Sequence, residues 1–339
     1  MQDESTGVLL SCREIQNQTL PRRQHMLQQL VENLDSALRG EDIQFKGIKC
    51  HSRSIFIDTG DMIEAARVAS RVFGVSAASP VVVMPAASIN HESTTQGQHI
   101  EVVDEEAYVV DRAIEGVGGL PSGSEGKVVC TISGGLDSPV AAFKAMKRGC
   151  VPIFVHFDNV PYGDESTRDL AIRQAKCLVE YIHGHEVKMY VIPHGEDLTD
   201  ILQHAPRKMT CIFCRRNMYR LAEKVALRED ADAIITGEII GEQASQTTRN
   251  LLAEESAVCD VAIIRPCIGD DKVEIEKLAM KIGTYKFTHE AVSCCSLPPK
   301  YPTIHARLGE IRPAEEKMDM GILDAELSDA EVTILKRGK

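Results

Sequence analysis

The sequence predicts an α/β protein in which a parallel-sheet domain, expected over residues 123–312, follows a small α+β unit at 1–79. Three observations carry this. From Lys127 onward, short apolar runs alternate with stretches whose apolar residues recur at helical spacing, the pattern of a parallel sheet with helices on both faces. Ahead of Lys127, strand- and helix-like runs follow in a different order. Between the two lies "EGVGGLPSGSEGK", the strongest domain-boundary signal in the chain.

Taken in order, "GVLLSC" reads as a first strand, and Met26, Leu27, Leu30, Val31, Leu34 and Leu38 share one face of a helix. "SIFID" is a second strand, and residues from Asp61 to Phe73 form a second helix. Residues 80–122 differ, with two strand candidates flanking a polar, turn-rich centre. In the later domain "VVCTI", "PIFVHF", "KMYVI", "AIIT" and "AIIRP" are the strands. Helices are expected around Met218, Leu221, Ala222 and Val225, and around Ile275, Leu278, Ala279 and Ile282. The segment 313–339 is acidic and weakly amphipathic and reads as a peripheral helical tail.

With 339 residues the chain is long enough for two or three domains. Trp is absent and aromatics make up only 4%, so aliphatic side chains must fill the cores. No basic-then-apolar leader and no run of membrane-spanning length occurs, so a cytoplasmic protein is expected. A net charge of −12 argues mildly against nonspecific nucleic-acid binding, although a polyanion responds to a local patch and not to the sum. Eleven cysteines are many for a reducing compartment. Cys12, Cys50, Cys130, Cys150, Cys177, Cys259 and Cys267 are scattered and read as small buried hydrophobes, whereas Cys211, Cys214, Cys294 and Cys295 are clustered and suggest metal or redox chemistry.

The stretch "CTISGGLDSPVAAF" runs from strand to helix through two glycines. Gly134 and Gly135 let the backbone approach a ligand closely, and the turn's N–H groups with the helix start at Ser138-Pro139 make an anion site. A Walker A loop it is not, because no Lys-Ser/Thr follows the last glycine.

"SGGLDS" resembles the signature of the PP-loop ATP pyrophosphatase superfamily. "GVGGLPSGSEGKVVCTISGGLDSPVAAFKAMKRG", "TGEIIGEQASQT", "IIRPCIGDDKVEI" and "KYPTIHA" also resemble, in order and spacing, the ThiI-type tRNA uridine 4-sulfurtransferases. Residues 7–78 look like a diverged copy of that family's ferredoxin-like domain, and 80–122 like a truncated THUMP-like segment. The resemblance implies a cytoplasmic enzyme that adenylates a tRNA uridine with ATP and Mg²⁺, then replaces AMP by sulfur to give 4-thiouridine. By the same resemblance Ser133, Gly134, Gly135, Asp137 and Ser138 would bind ATP phosphates, Asp137 through Mg²⁺. His156 and Phe157 would border adenine, and Gly237, Gln243 and Gln246 would line the nucleotide or uridine pocket. Lys272 would offset charge as pyrophosphate departs; read alone it is a solvated helix-start lysine.

Cys211 and Cys214 form a Cys-x-x-Cys at a helix start. As residues they fit a metal site, a redox dithiol or plain core thiols; zinc would need two more ligands, from Cys294 and Cys295 or from His183 and His185. The family resemblance implies a 4Fe-4S cluster with Cys295 as third ligand and reactive cysteine, Cys294 being the alternative. Sulfur would come from sulfide or from a cysteine desulfurase or carrier, and a homodimer would compensate for the short THUMP-like segment. Arg207, Lys208, Arg215, Arg216 and Arg220 read either as a solvated helix face or as a patch for tRNA phosphates. Two other functions stay open: adenylation of a different acceptor, and a non-catalytic nucleotide- or RNA-binding module.

Overall fold

The structure, a computed structural model, describes residues 5–51, 54–88, 99–103, 105–110, 112–290 and 295–338. Its first half comprises β1 (Ser5–Ser11), α1 (Arg13–Gln16), α2 (Leu20–Gly40), β2 (Gly47–Cys50), β3 (Ser54–Asp58), α3 (Met62–Ser70), β4 (Ala77–Pro85), β5 (His99–Val103), β6 (Glu106–Val110) and β7 (Ile114–Glu115). These strands form one antiparallel sheet in the order β2-β3-β1-β4-β6-β5, with β7 pairing the start of β4. The chain order β-α-β-β-α-β and the strand order β4-β1-β3-β2 within it are those of a ferredoxin-like unit. Alternation explains the layering: Val8 and Leu10 point at the helices, where Leu30, Leu34, Ala65 and Ala69 are fully buried, while Leu9 points to the opposite face beside Phe56 and Tyr108.

Two expected boundaries do not hold. The cut between 79 and 80 falls inside β4, which pairs β1 on one side and β6 on the other. The 99–110 hairpin therefore extends the first sheet instead of forming a separate segment. The segment "EGVGGLPSGSEGK" between the two sheets is docked as a strap. Leu120 is buried and its N–H bonds the Lys147 carbonyl at 3.0 Å, while buried Asn33 donates to the Ser122 carbonyl at the same distance. Phe73 from the first unit stacks among Phe143 and Tyr181 of the second, with ring centres 5.4 and 5.8 Å away.

The second half comprises β8 (Lys127–Thr131), α4 (Asp137–Lys147), β9 (Val151–Asp158), α5 (Ser166–Val179), β10 (Val187–Pro193), α6 (Gly195–His204), α7 (Thr210–Glu229), β11 (Ala233–Ile235), α8 (Thr248–Glu255), β12 (Ala262–Ile264), α9 (Lys272–Ile282), α10 (Leu308–Glu315), α11 (Gly321–Ser328) and β13 (Glu331–Leu335). Its sheet runs β12-β11-β8-β9-β10-β13, parallel throughout except for β13. The strand sequence steps one way from β8 to β9 and β10, and the other way to β11 and β12. Such a reversal opens a crevice at the carboxyl ends of β8 and β11, where open α/β sheets bind ligands.

The expected cut at 312/313 falls inside α10, and the expected tail is part of the fold. β13 pairs antiparallel with β10 from Val187 to Val191, and Leu323 and Leu327 of α11 are buried in the core beneath it. An exposed edge on β10 would leave a row of backbone groups unpaired, and β13 covers it. Among the described residues no helix is long and apolar enough to cross a membrane.

Gly119 shows how tightly the strap is docked. Its φ is +81°, and a Cβ there would lie 2.0 Å from the Lys147 carbonyl oxygen. Gly119→Ala is expected to lower unfolding free energy by about 2 kcal/mol or more, read from urea midpoints. An unchanged midpoint would show that the strap leaves its groove at little cost.

Candidate functional site

The crevice at the switch point holds a cavity of about 500 Å³. Ser133, Asp137 and Ser138 line one end, His156 and Phe157 the wall from β9, Gly237, Gln243 and Gln246 the wall beyond β11, and Cys211, Cys214 and Cys295 the other end. Eleven of the expected site residues thus share one cavity. Gly134 and Gly135 belong to the loop but not to the lining, and Lys272 stands at the rim. Cys294 lies outside the described residues.

The loop is built by the strand-to-helix turn at the end of β8. Ser138 Oγ accepts the Ser133 N–H at 3.1 Å and lies 3.2 Å from Ser133 Oγ, closing the turn on itself. Gln174 of α5, buried, donates to the carbonyls of Gly134 and Gly135 at 3.0 and 3.1 Å, while the Gly135 N–H donates to Ser133 Oγ at 3.3 Å. Gln174 has no signal in the sequence, being one polar residue on an ordinary helix. Gly237 is needed for steric reasons. A Cβ there would lie 2.6 Å from the Ser138 nitrogen, so only glycine lets β11 press against the start of α4.

Asp137 opens α4, and burial pushes its carboxyl above the ordinary range, with the Lys272 ammonium opposing that shift. Lys272 opens α9, where Asp271 and Glu274 form a capping box, and its Nζ lies 2.8 Å from Asp137 Oδ1 and 2.6 Å from Glu242 Oε1. A helix-start lysine shared by two carboxylates beside the glycine turn is not merely a solvated one. On the facing wall His156 Nδ1 lies 2.8 Å from the Ile132 carbonyl, and Nε2 is buried without a hydrogen-bond partner among the described residues. Burial lowers the His156 pKa, which favours the neutral ring with its proton on Nδ1 and an acceptor lone pair on Nε2. Gln246 Oε1 is buried and lacks a hydrogen-bond partner among the described residues as well.

Cys211 and Cys214 stand in the first turn of α7, as the helix-start reading requires. His194 Nε2 is 3.7 Å from Cys214 Sγ and 3.3 Å from Asp197 Oδ2, while His194 Nδ1 is 3.1 Å from Glu326 Oε2. Burial works to lower the His194 pKa, yet Cys214, Glu326 and Asp197 hold it well above the ordinary imidazole value. Glu326 comes from α11, so the expected tail supports the cysteine helix. Among the described residues no three or more His, Cys, Asp or Glu side chains are set to hold one metal ion. Neither histidine considered for zinc is at the cavity: His183 is buried toward Arg337 and Arg71, and His185 Nε2 meets the Ser122 carbonyl. Three thiols line one cavity, and in donor type they fit an iron–sulfur cluster, which they could hold together. The other cysteines divide, since Cys12, Cys130 and Cys267 are buried as expected, while Cys50 on edge strand β2 and Cys259 after α8 are exposed.

A largely buried charge network forms part of the cavity wall, since Arg215, Tyr219, Thr236 and Glu238 all line it. Glu238 accepts from Arg215, from Tyr219, from Thr236 Oγ1 at 2.9 Å and from Arg265 Nε at 2.6 Å. Burial would raise the Glu238 pKa, but Arg215 and Arg265 hold it below the ordinary value. "TGEIIGEQ" contains Glu238, so the motif carried this signal even though its role as an ionic anchor emerges only in three dimensions. Arg216 and Arg220 pair with Glu315 of α10. Three of the five cations expected as a phosphate patch are therefore engaged internally, and only Arg207 and Lys208 remain exposed.

A family model described as thiamine biosynthesis protein (ThiI) matches residues 123–320. A probable tRNA sulfurtransferase of Methanothermobacter thermautotrophicus is 43% identical over 222 residues, which is 66% of this chain and 57% of that protein. One from Methanocaldococcus jannaschii is 37% identical over 227 residues, 65% of this chain and 57% of that one. This chain thus spans little more than half the length of those relatives. The crystal structure of a 4-thiouridine synthetase–RNA complex with bound ATP has the same fold, with a TM-score of 0.86 over 98% of this chain and 100% of that one at 23% identity.

Glu254 of α8 is fully buried, its carboxylate oxygens have no hydrogen-bond partner among the described residues, and burial pushes its pKa from 4.5 up to about 8. The folded protein then holds a proton that the unfolded chain releases, so stability falls as pH rises from about 4.5 to about 8. Glu254→Gln, neutral at every pH, is expected to flatten that slope by up to about 1.4 kcal/mol per pH unit in urea titrations. Parallel slopes for the two proteins would place an ionised carboxylate at Glu254.

Proposed function

Because the chain belongs to the ThiI family, we propose that it is an ATP-dependent tRNA sulfurtransferase that converts a uridine to 4-thiouridine. The observation that carries this is the single cavity with a phosphate loop at one end and three cysteines at the other. An adenylating site alone would not need the thiols, and a redox dithiol alone would not need the loop. The relatives' descriptions as probable tRNA sulfurtransferases, and the RNA and ATP in the synthetase complex, point the same way.

In this reading the N–H groups around Ser133–Ser138 and the start of α4 hold the β- and γ-phosphates. Asp137 and Glu242 are the oxygen donors suited to Mg²⁺. The neutral His156 accepts from the adenine amine through Nε2 beside Phe157. Gln243 and Gln246 hold the uracil edge. The uridine O4 attacks the α-phosphorus, the bond to the bridging oxygen breaks, pyrophosphate leaves with that electron pair, and the N3 proton goes to solvent. Lys272 neutralises charge that grows on the leaving group. Sulfur then attacks C4, AMP departs with the C4–O4 bond, and a C=S group remains. A cluster held by Cys211, Cys214 and Cys295 would supply sulfur as the nucleophile, with sulfide or a cysteine desulfurase or carrier as donor. His194, gripped by Asp197 and Glu326, keeps Cys214 turned toward the cavity. The first unit, joined rigidly to the second by the strap, is the part suited to gripping RNA, and a homodimer belongs to the same proposal.

Asp137→Ala is expected to lower AMP formation on unmodified tRNA by about 10²–10³-fold. Cys295→Ser should keep AMP formation and lose 4-thiouridine, as read by nucleoside chromatography. Thiolation surviving either change defeats that residue's role, and a 4-thiouridine level unaffected by deleting the gene defeats the acceptor. Anaerobically purified protein should contain iron and acid-labile sulfide and lose both in Cys211→Ser; an iron-free, colourless, active protein would leave the persulfide route.

A further inference from the structure

The segment after Cys295 carries an exposed ledge at the cavity mouth that the chemistry above does not use. Pro302 and Thr303 line the cavity, and the residue just before them, Tyr301, has 77% of its surface in solvent. With only 4% aromatic residues and no Trp, the chain has few flat rings to present at its surface. Its exposure does not come from a slack loop. The Thr303 N–H bonds the Lys208 carbonyl at 2.8 Å, and Thr247 Oγ1 donates to the Ile304 carbonyl at 2.8 Å. Buried Asn250 donates to the Thr303 carbonyl and accepts the Ala306 N–H, both at 2.9 Å. The segment is thus clamped from two helices, with Tyr301 and Ile304 directed outward.

Exposed cations adjoin the residues that clamp this ledge. Lys300 Nζ sits 5.5 Å from the Tyr301 ring centre, a cation–π contact on one face. Arg207, Lys208, Arg249 and Arg307 are exposed, in contrast to Arg215, Arg216 and Arg220, which are held in ion pairs. A flat apolar ring among exposed cations, on a protein of net charge −12, complements a polyanion that carries planar bases.

We propose that Tyr301 is a base-stacking platform, holding a nucleotide next to the uridine that enters the cavity while Arg207, Lys208 and Arg249 take the neighbouring phosphates. This rests on the RNA reading of the site and adds to it a residue that positions the substrate. A stacked neighbour lets the reacting base swing out of the strand without losing all of its stacking, and it fixes the register in which the strand crosses the cavity mouth.

Since the chain contains no Trp, Tyr301→Trp makes the platform its only tryptophan. Titration with an unmodified tRNA transcript is expected to quench that emission with the same midpoint as filter binding, whereas heparin, a polyanion without bases, should bind without quenching. Tyr301→Ala should weaken tRNA binding roughly five- to a hundredfold, the range of one base–aromatic stack, and Tyr301→Phe should restore it. An unchanged thermal midpoint in the alanine variant shows that the fold is intact. Equal quenching by heparin, or an alanine variant that binds tRNA as tightly as the parent, overturns the stack and leaves the sulfurtransferase reading standing. Failure of the unaltered protein to bind tRNA at all overturns that reading, and the platform with it.

Discussion

Glu238 is a carboxylate closed off from water immediately after β11, and it stays ionised only because Arg215 and Arg265 converge on it. A buried charge without partners would cost several kcal/mol, so those three side chains must stay together. Arg215 follows Cys214 on α7, and Arg265 follows β12. The same ionic knot therefore fixes the cysteine helix against the strand whose end forms one wall of the cavity. Without it, the loop and the thiols would be two sites on separate elements; with it, they face one cavity.

Around this knot the parallel sheet supplies the opening. The order β12-β11-β8-β9-β10 turns back on itself between β8 and β11, and Gly237 lets those two strand ends close on the start of α4. At the other end of the cavity, His194, Asp197 and Glu326 support Cys214 from below. Glu326 arrives from α11, held in turn by β13 on the sheet edge. The segment carrying α11 and β13 thus shapes the sulfur end of the site, although its composition resembles that of a loose acidic tail.

Charge is distributed more unevenly than its sum suggests. Within α7, Arg215, Arg216 and Arg220 are engaged by Glu238 and Glu315, where they brace helices. Lys208 lines the cavity, and Arg207, Arg249, Lys300 and Arg307 are exposed on the short helical turn and the segments next to it.

By itself the sequence determined the elements that depend on local pattern: all five parallel strands, the strand-to-helix glycine turn, and the Cys-x-x-Cys at the start of α7. Periodicity, glycine placement and helix-start chemistry act over a few residues, so a linear reading reaches them. Only the tertiary structure decided how those pieces combine. The 99–110 hairpin joined the first sheet because β4 had a free edge, the strap docked because Gly119 fits against Lys147, and the tail became β13 because β10 needed covering. Gln174 behind the loop, Glu238 in the cavity wall and Glu326 under Cys214 act through partners 39, 23 and 132 residues away. Pairings at such separations follow from burial and desolvation in the folded core, which no local pattern encodes.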